Sequence, residues 1–508
     1  MTSQRGLTEA DRDFLRLVSS AAFSNPFGDE RDDVDRAIVG DDGDLTRDEL
    51  LMRVVECVQR RVCRMEEQGQ ADVRRYSGDD FELVASALLF DVFHRYLEDF
   101  DRLIEDQVRA GDTPCPVPFA GEAIGLIEGR GFPHDVAVRH FAFLYQLRRA
   151  FHFIDQDLVG RSPCMCQLRC RLWNNVFTSN LRWYALHLWD RLEDFATLLL
   201  GETGTGKGSA AAAIGRSGFI PFDEKKGCFA ESFTRNFIAI NLSQYPQTLI
   251  ESELFGHRKG SFTGAIEHHE GVFSRCSPHG AIFLDEVGDV PETIQIKLLQ
   301  VLQERTFVEV GSHEKNRFRG RVIAATNKPV ADLRRSGRFR EDFYYRLCSD
   351  VLEVPALRQR LAEEPAEMDD LLSLLLRRMF REPPRDLLSE VRRTIERDVG
   401  PTYPWTGNVR ELEQAVRRII LTGSYPGDAR ANGEDLLGRL VEGMQTGTVD
   451  AQQLLSSYCR LLYQRHGTYE EVARRTGLDR RTAKRYVQMT EDPNRAAQPG
   501  SVRDGRCA

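Results

Sequence analysis

FATLLLGETGTGKGSAAAAIG, residues 195–215, decides the fold. An apolar run ends in a glycine-rich loop, and an alanine-rich segment of helical character follows. Glycines let backbone N–H groups surround an anion, the start of a helix adds partial positive charge, and Lys207 can reach phosphate oxygens. This order of strand, loop and helix predicts a P-loop nucleotide site. Its residues are Gly201, Glu202, Thr203, Gly204, Thr205, Gly206, Lys207, Gly208 and Ser209.

Short apolar runs recur along the chain at FIAINL (237–242), AIFLDEV (281–287) and RVIAATN (321–327). Strands that alternate with helices predict a parallel sheet with crossover helices. Asp285 and Glu286 follow one of these runs, where an aspartate can hold Mg²⁺ and a glutamate can orient the attacking water. An isolated Asp–Glu pair is more often a solvated turn, but its place behind a strand and after the P-loop favours catalysis.

The position after the P-loop lysine departs from the usual pattern. Most P-loops have Ser or Thr there to contact magnesium, whereas this chain has Gly208, with Ser209 next. Either other ligands hold the metal or the site is weakened.

Composition excludes several classes of protein. The chain has 508 residues, a net charge of −9 and 41% hydrophobic residues, which is typical of a globular protein of several domains. No run approaches the roughly 18 apolar residues of a membrane span, and the N-terminus has no signal-peptide pattern. We therefore expect a cytoplasmic protein without a membrane segment, and its 11 cysteines are interpreted as reduced thiols.

The C-terminal end is basic although the whole chain is acidic. Residues 451–508 contain eleven Lys or Arg against six Asp or Glu, which suggests nucleic acid, or else a solvated helical face. QRHGTYEEVARRTGLDRRTAKRYVQM (464–489) has the pattern of helix, turn and helix, with the turn at Gly477-Leu478. The second helix would enter the major groove of DNA; the alternative is a small helical cap. The candidate DNA contacts are Arg480, Arg481, Thr482, Lys484 and Arg485.

ESELFGHRKGSFTGAIEHHEG, residues 251–271, presents Phe262 among small polar residues that form no core face. Together with other motifs it resembles the AAA+ domain of sigma-54-dependent transcriptional activators, the bacterial enhancer-binding proteins. The motifs, in order, are GETGTGKG, ESELFGHRKGSFTGA, GAIFLDEVGD, LLQVLQERTFVEVGS, RVIAATN, GRFREDFYYRL and WTGNVRELEQA. The resemblance covers roughly 156–423, with a weaker extension to the C-terminus.

The resemblance implies an ATPase that uses ATP and Mg²⁺ and assembles as a homo-oligomeric ring, expected to be a hexamer. Bound to double-stranded DNA upstream of promoters, it would remodel sigma-54 RNA polymerase holoenzyme from closed to open complex. The loop against sigma would be Gly260, Ser261, Phe262, Thr263, Gly264 and Ala265.

The resemblance also assigns roles to single residues. Lys207 would bind phosphate, Asp285 magnesium, and Glu286 would activate water. Asn241 would restrain the catalytic glutamate, Thr326 and Asn327 would form sensor I, Arg340 and Arg346 would act in trans, and Arg410 would be the sensor II arginine. Arginines acting in trans require a closed head-to-tail ring. Without the other motifs, ion pairing of Arg340 and Arg346 with Glu341 and Asp342 would be the simpler interpretation.

Two positions depart from the family. Its members usually have Glu where this chain has Gly208, so no expected magnesium ligand is lost. They usually have Ala where this chain has Ser261, and we expect function to be retained.

The fold class expected is multidomain, with an α/β parallel-sheet domain at its centre. We expect a helical regulatory domain at 1–155, the AAA+ nucleotide-binding subdomain at 156–355, its helical lid at 356–423, a linker at 424–450, a helix-turn-helix domain at 451–490 and a disordered tail at 491–508. The first of these has no phosphoacceptor arrangement of the response-regulator kind. Its position suggests that it represses or licenses the ATPase.

Two other functions remain open at this point. They are an AAA+ remodeller of another client protein and a nucleotide-gated DNA-binding regulator with weak hydrolysis. A metal site at Cys164, Cys166 and Cys170 is disfavoured because no second C-x-x-C accompanies them. His268 and His269 are interpreted as solvated.

Overall fold

The computed structural model describes residues 7–40, 43, 45–191, 194–380, 382, 384, 386–427, 440, 441, 444, 447 and 449–488. The chain divides into two compact units. Met1–Leu388 and Gly407–Leu412 form the first, and Ser389–Thr406 and Glu413–Ala508 form the second. The predicted tail at 491–508 and most of the predicted linker at 424–450 lie outside the described residues.

The strands belong to the first unit. They are β1 (Thr197–Leu200), β2 (Phe222–Asp223), β3 (Cys228–Phe229), β4 (Phe237–Asn241), β5 (Ala281–Asp285), β6 (Thr306–Val308), β7 (Lys315–Arg317), β8 (Arg321–Thr326) and β9 (Asp350–Glu353). A five-stranded sheet has the order β4-β5-β8-β1-β9, and its pairs are parallel. The pairs β2–β3 and β6–β7 are antiparallel hairpins. The prediction of a parallel-sheet domain is confirmed.

The strand register aligns the carboxyl ends where the site lies. Asn241 is opposite Asp285 on neighbouring strands, and Leu200, which precedes the P-loop, is opposite Thr326. β8 is buried along its whole length, as expected of a central parallel strand covered on both faces. The P-loop, the acidic pair and the sensor I residues therefore meet at one edge of the sheet.

Helices precede the sheet. They are α1 (Glu9–Phe23), α2 (Asp29–Val39), α3 (Arg47–Glu67), α4 (Gly78–Arg95), α5 (Leu97–Ala110), α6 (Ala120–Gly129), α7 (His134–Gln156), α8 (Pro163–Phe177) and the short α9 (Leu181–Trp183). Their buried residues, such as Val84 and Phe141, share one continuous core with Leu199, Ala210 and Ile323. The predicted boundary at residue 155 thus lies inside the first unit.

The remaining helices of the nucleotide-binding region surround the sheet or follow it. They are α10 (Lys207–Gly215), α11 (Gln247–Phe255), α12 (Val272–Arg275), α13 (Glu292–Glu304), α14 (Val330–Arg335), α15 (Glu341–Leu347), α16 (Leu357–Glu363), α17 (Glu367–Met379), α18 (Leu387–Asp398) and α19 (Asn408–Thr422). α16 and α17, predicted as part of the lid, belong to the first unit.

The second unit ends in α20 (Ala451–His466), α21 (Tyr469–Thr476) and α22 (Arg480–Gln488). Cys459, Leu462, Val472 and Ala483 form their core. Gly477 ends α21 with a left-handed backbone, φ 74°, a conformation that glycine adopts readily. The predicted sequence of helix, turn and helix is therefore present in the fold. Within the described residues, no helix combines the length and apolar character of a membrane span.

Candidate nucleotide site and its surroundings

The loop between β1 and α10 surrounds the ammonium group of Lys207. Its Nζ donates to the carbonyl oxygens of Gly201 at 2.8 Å and Glu202 at 3.0 Å. Burial lowers the pKa of Lys207, and the carboxylates of Glu286 and Asp285 oppose that shift. A phosphate oxygen could replace a neutral carbonyl here with a stronger, charge-assisted hydrogen bond.

The P-loop glycines have distinct functions in the backbone. Gly206 has φ 106°, and a Cβ there would meet no atom within 4 Å, so open space lies at the start of α10. A Cβ on Gly204 would lie 2.3 Å from the carbonyl oxygen of Gly407, which makes Gly204 necessary for this close approach. Gly208 lies in α10 and its Cβ would also meet nothing. The loop and the helix N-terminus therefore fit a nucleotide phosphate, and Gly208 does not distort them.

The acidic pair is divided between two partners. Nδ2 of Asn241 donates to Oδ2 of Asp285 at 3.3 Å. Glu286 has a left-handed backbone, φ 58°, and its Oε2 accepts the N–H of Asn327 at 3.3 Å. The resemblance assigned Asn241 to the glutamate, whereas here Asn241 holds the aspartate and sensor I holds the glutamate. The reason is register, because Asn241 pairs with Asp285 and the chain turns immediately after it.

The two sensor I residues face different surroundings. Asn327 Nδ2 donates to Oγ1 of Thr203 in the P-loop at 2.9 Å. Thr326 is buried, and its Oγ1 accepts the N–H of Lys328 at 3.1 Å. Asn327 thus joins the P-loop to Glu286, while Thr326 shapes the turn that presents Asn327.

Sequence reasoning missed Asn408 and Arg358. Asn408 is fully buried, and its Nδ2 donates to Glu202 Oε2 and to the carbonyl oxygen of Thr203, both at 3.1 Å. Its Oδ1 accepts the N–H of Leu357 at 2.8 Å. Arg358 donates to both carboxylate oxygens of Glu202, and this pairing lowers the pKa of Glu202. The sequence did carry one signal for Asn408, because it lies in the WTGNVRELEQA motif, two residues before Arg410.

We expect Asn408→Ala to weaken ATP binding about tenfold, since loss of buried hydrogen bonds costs roughly 1–3 kcal/mol and about 1.4 kcal/mol corresponds to tenfold. Equilibrium titration with ATP measures the effect. Asn316→Ala, in the β6–β7 hairpin, is the control and should bind like the wild type. Equal affinity of the two variants would contradict the role of Asn408.

The three predicted arginines differ in location. Arg340 pairs with Asp342 at 2.9 Å and Glu292 at 2.8 Å, and Arg346 Nε donates to the carbonyl oxygen of Leu302 at 2.9 Å. These partners belong to α13 and α15 rather than to the P-loop. Arg410 lies beside the P-loop, because a Cβ on Gly204 would be 3.0 Å from its Cβ. Of the three, Arg410 is the one whose described contact places it beside the P-loop.

The loop at 260–265 has an ordered base. His257 pairs with His269 through both backbone groups, and the N–H of Arg258 donates to the carbonyl oxygen of Val310 at 3.0 Å. Gly260 N–H donates to the carbonyl oxygen of Ala265 at 2.8 Å and closes the loop. Its folded base holds the loop in a defined position on the surface.

Phe262 lies at the surface of this loop. Its side chain is 38% exposed, and its ring meets the edge of the His257 ring with 4.9 Å between centroids. Thr263 and Gly264 beside it are also exposed. The loop therefore presents part of an aromatic ring at the surface, on a base closed by backbone hydrogen bonds.

Ser261 packs inward instead. A Cβ on Gly311 would lie 2.5 Å from the Ser261 Cβ, so the β6–β7 connection contacts this side chain. The Ser261 hydroxyl is buried and has no hydrogen-bond partner in the part of the chain that the structure describes. This position favours a small apolar side chain.

We therefore expect Ser261→Ala to leave the free energy of unfolding unchanged or to raise it by up to about 1 kcal/mol, because the substitution removes an unsatisfied polar group. Thermal denaturation measures this change. Ser261→Val, which adds volume against Gly311, is the contrasting variant and should lower Tm. A fall in Tm for Ser261→Ala would show that the hydroxyl has a stabilising partner.

The cysteines and histidines considered as metal ligands have other interactions in the structure. Cys170 Sγ donates to the carbonyl oxygen of Phe27 at 2.7 Å, and burial raises the pKa of Cys164 to about 11. His269 lies 3.6 Å from Glu253. Across the described ranges, no group of three or more His, Cys, Asp or Glu is arranged to hold a metal ion.

The predicted DNA contacts lie on α22. Asp479 Oδ1 accepts the N–H groups of Arg481 and Thr482, both at 3.0 Å, and so caps the helix. Arg481, Lys484 and Arg485 line a shallow groove together with Gln488, as their helical spacing requires. Arg480 pairs with Glu470 of α21 at 2.9 Å. The face of α22 that lines this groove, called the groove face, is cationic. Arg480 is not among the residues that line it.

Comparison with known protein families identifies the central region. The family described as "Sigma-54 interaction domain" matches residues 189–353. This region is therefore similar to sigma-54 interaction domains. This match confirms the resemblance suggested by the order of the motifs, and the strands, the P-loop and the loop at 260–265 all lie within the matched residues.

Relatives of the sigma-54 interaction domain are bacterial regulators. The chain is 38% identical over 234 residues to the transcriptional regulatory protein ZraR of Salmonella typhimurium, covering 46% of this chain and 49% of the relative. It is 39% identical over 236 residues to the DNA-binding transcriptional regulator NtrC of Rhizobium meliloti, covering 46% and 44%. The chain thus spans about half the length of these curated relatives. A crystal structure of NtrX from Brucella abortus in complex with ADP aligns with 21% identity and a TM-score of 0.41, covering 73% of this chain and 80% of that one.

Proposed function

We propose that this protein is a sigma-54-dependent transcriptional activator. As an ATP-hydrolysing ring bound to upstream DNA, it remodels sigma-54 RNA polymerase holoenzyme from the closed to the open promoter complex. One observation carries the proposal: the Lys207, Asp285 and Glu286 site belongs to the same compact unit as the loop that exposes Phe262. A P-loop site alone fits any ATPase, whereas this loop indicates the client protein.

Each residue of the site has a distinct task. Bound ATP with Mg²⁺ would supply the bond to be cleaved and the charge that neutralises its phosphates. Lys207 and the first turn of α10 would hold the phosphates, and Asp285 would hold the metal. Glu286 orients the attacking water and accepts its proton, while the N–H of Asn327 fixes the carboxylate of Glu286.

Hydrolysis is completed by a neighbouring subunit. Arg340 and Arg346 would reach the neighbour's nucleotide across a head-to-tail interface, where Arg340 exchanges Asp342 and Glu292 for phosphate oxygens. A guanidinium provided in this way adds about 10³-fold or more to the rate. A ring of six subunits is the expectation from the family.

A continuous segment joins the site to the loop. Asn241 binds Asp285 through Nδ2, and its Oδ1 caps the following turn by accepting the N–H of Ser243 at 3.0 Å. Then α11 leads directly to Gly256 and His257 at the base of the loop. A change at Asp285 would therefore displace Asn241, α11 and the loop together.

The groove face of α22 is the proposed DNA contact. Replacing both Lys484 and Arg485 with Ala is expected to weaken DNA binding at least tenfold and to reduce the dependence of log K on log salt by about one per lost phosphate contact. Filter binding at several salt concentrations measures both. Arg474→Ala is the control, because Arg474 pairs with Glu471 on α21. Unchanged DNA affinity in the double variant would exclude this face.

The alternatives make different predictions. A nucleotide-gated regulator would bind ATP without turnover, but the undistorted backbone at Gly208 offers no support for impaired hydrolysis. A remodeller of another client would hydrolyse ATP normally and fail to bind promoter-upstream DNA. Open-complex formation with purified sigma-54 holoenzyme, with and without ATP, tests the proposed function against both.

A further inference from the structure

One turn of α7 binds the backbone that follows the P-loop helix α10. Arg149 donates to the carbonyl oxygen of Arg216 through Nη1 and to that of Gly218 through Nη2, both at 2.7 Å. Gln146 Nε2 donates to the carbonyl oxygen of Ser217 at 2.9 Å. The last carbonyls of a helix and of its connection lack intrahelical partners. Here the N-terminal helical region (α1 to α7) supplies those partners, through Arg149 and Gln146.

Arg149 is suited to this contact by its surroundings. It is fully buried, and its guanidinium lies 4.8 Å from the centroid of the Tyr145 ring and 5.8 Å from that of Phe233. Burial lowers the pKa of Arg149 to about 10, so the group is still cationic at neutral pH. A cation at the C-terminal end of a helix interacts favourably with the helix dipole. Its removal would leave buried carbonyls unpaired.

The opposite end of α10 carries Lys207. The helix has 9 residues, and at 1.5 Å per residue it is about 14 Å long. Much of its buried face is alanine, and small side chains interlock weakly with their neighbours. The position of Lys207 along the helix axis therefore depends on how the two ends are held. Arg149 and Gln146 hold the C-terminal end.

The segment between α10 and β4 is held by the same region. The N–H of Val117 donates to the carbonyl oxygen of Gly227 in the β2–β3 hairpin at 2.9 Å. Phe229 of this hairpin stacks on Tyr145 of α7, with 4.2 Å between ring centroids. The N-terminal helices therefore contact both α10 and the segment that follows it, and the two regions share one core.

We propose that Arg149 is a positioning residue of the nucleotide site, and that the N-terminal helical region acts on ATP binding through its contact with the end of α10. In this arrangement the region is an integral support of the P-loop helix rather than a detachable repressor. The inference rests on the proposed ATPase function of the same unit.

Arg149→Lys tests the contact with little change in volume. Lysine keeps the charge but loses the forked pair of hydrogen bonds. Because the lost hydrogen bond is charge-assisted, we expect the Kd for ATP to rise about tenfold, which corresponds to about 1.4 kcal/mol. Arg130→Lys is the matched control. Arg130 is also buried, and binds the carbonyl oxygen of Leu88 and the carboxylate of Asp91, so its variant should lower Tm comparably and leave the Kd unchanged.

A second measurement uses the reciprocity of linked equilibria. If α7 stabilises the ATP-binding form of α10, ATP binding must in turn stabilise α7. Hydrogen exchange should therefore slow in 141–156 and 222–229 when ATP is added to the wild type, and slow less in Arg149→Lys. Gln146→Met removes the hydrogen bonds to the carbonyl oxygen of Ser217 and to the hydroxyl of Tyr184. It replaces Arg149→Lys if that variant does not fold, with an expected rise in Kd of about fivefold.

The outcomes separate the two proposals. The positioning role is overturned if the Arg149 or Gln146 variant binds ATP with the same Kd as Arg130→Lys. It is also overturned if ATP has no effect on hydrogen exchange in α7. In both cases the ATPase assignment stands. A wild-type protein that binds no ATP overturns both. A raised Kd in the α7 variants alone, with slowed exchange in the wild type, supports the inference.

Discussion

Replacing Glu286 with Gln is expected to lower the rate of ATP hydrolysis about 10³-fold, because a positioned general base contributes roughly 10²–10⁴-fold. Glutamine has the same shape and keeps an oxygen that can accept the N–H of Asn327, so ATP affinity should remain within about twofold of the wild type. Steady-state phosphate release and equilibrium ATP binding, measured on the same preparation, separate the two effects.

A matched control for this change is Glu98→Gln. Glu98 lies on α5 with 91% of its side chain exposed, so its variant should hydrolyse ATP at the wild-type rate. Turnover by Glu286→Gln at half the wild-type rate or more would exclude Glu286 as the base, and equal losses of binding and turnover would indicate a structural defect instead.

Replacing Phe262 with Ala is expected to separate hydrolysis from remodelling. The ring is partly exposed and contacts His257, so truncation should reduce the free energy of unfolding by only about 1 kcal/mol. The Phe262 ring packs on His257 at the base of the loop, and ATP turnover should be retained. Loss of an aromatic anchor at a protein interface costs about 2 kcal/mol or more. We therefore expect at least a 30-fold loss of open-complex formation.

Ile266→Ala provides the comparison, since Ile266 is 76% exposed and lies just outside the GSFTGA motif. Its variant should retain both activities. If Phe262→Ala opened promoters as well as the wild type, the loop would not be the contact with sigma. If it lost ATP turnover as well, the ring would have a structural role in the nucleotide site.

The local parts of the fold were predictable because their signals are local. An apolar strand, a glycine loop and an alanine-rich helix are contiguous between residues 195 and 215, and the structure has β1, the P-loop and α10 there. Asp285 and Glu286 were predictable for the same reason, since they follow an apolar run directly.

The contacts that join distant segments were not predictable. Arg149 is separated by 67 residues from Arg216 and binds its backbone carbonyl. Because every residue has such a carbonyl, the pattern of side chains does not indicate this contact. Asn408 depends on a turn with φ 54° that only the packed structure defines. The proposed boundary at residue 155 followed a change in composition, whereas the hydrophobic core continues across it.

We propose that ATP hydrolysis in this domain opens sigma-54 promoters. The most direct test of this proposal is strand opening on a promoter template with purified sigma-54 holoenzyme, compared among ATP, a non-hydrolysable ATP analogue and no nucleotide. We expect opening only with the wild-type protein and ATP, and none with Glu286→Gln or Phe262→Ala. A wild-type protein that hydrolyses ATP normally but leaves the promoter closed would contradict it.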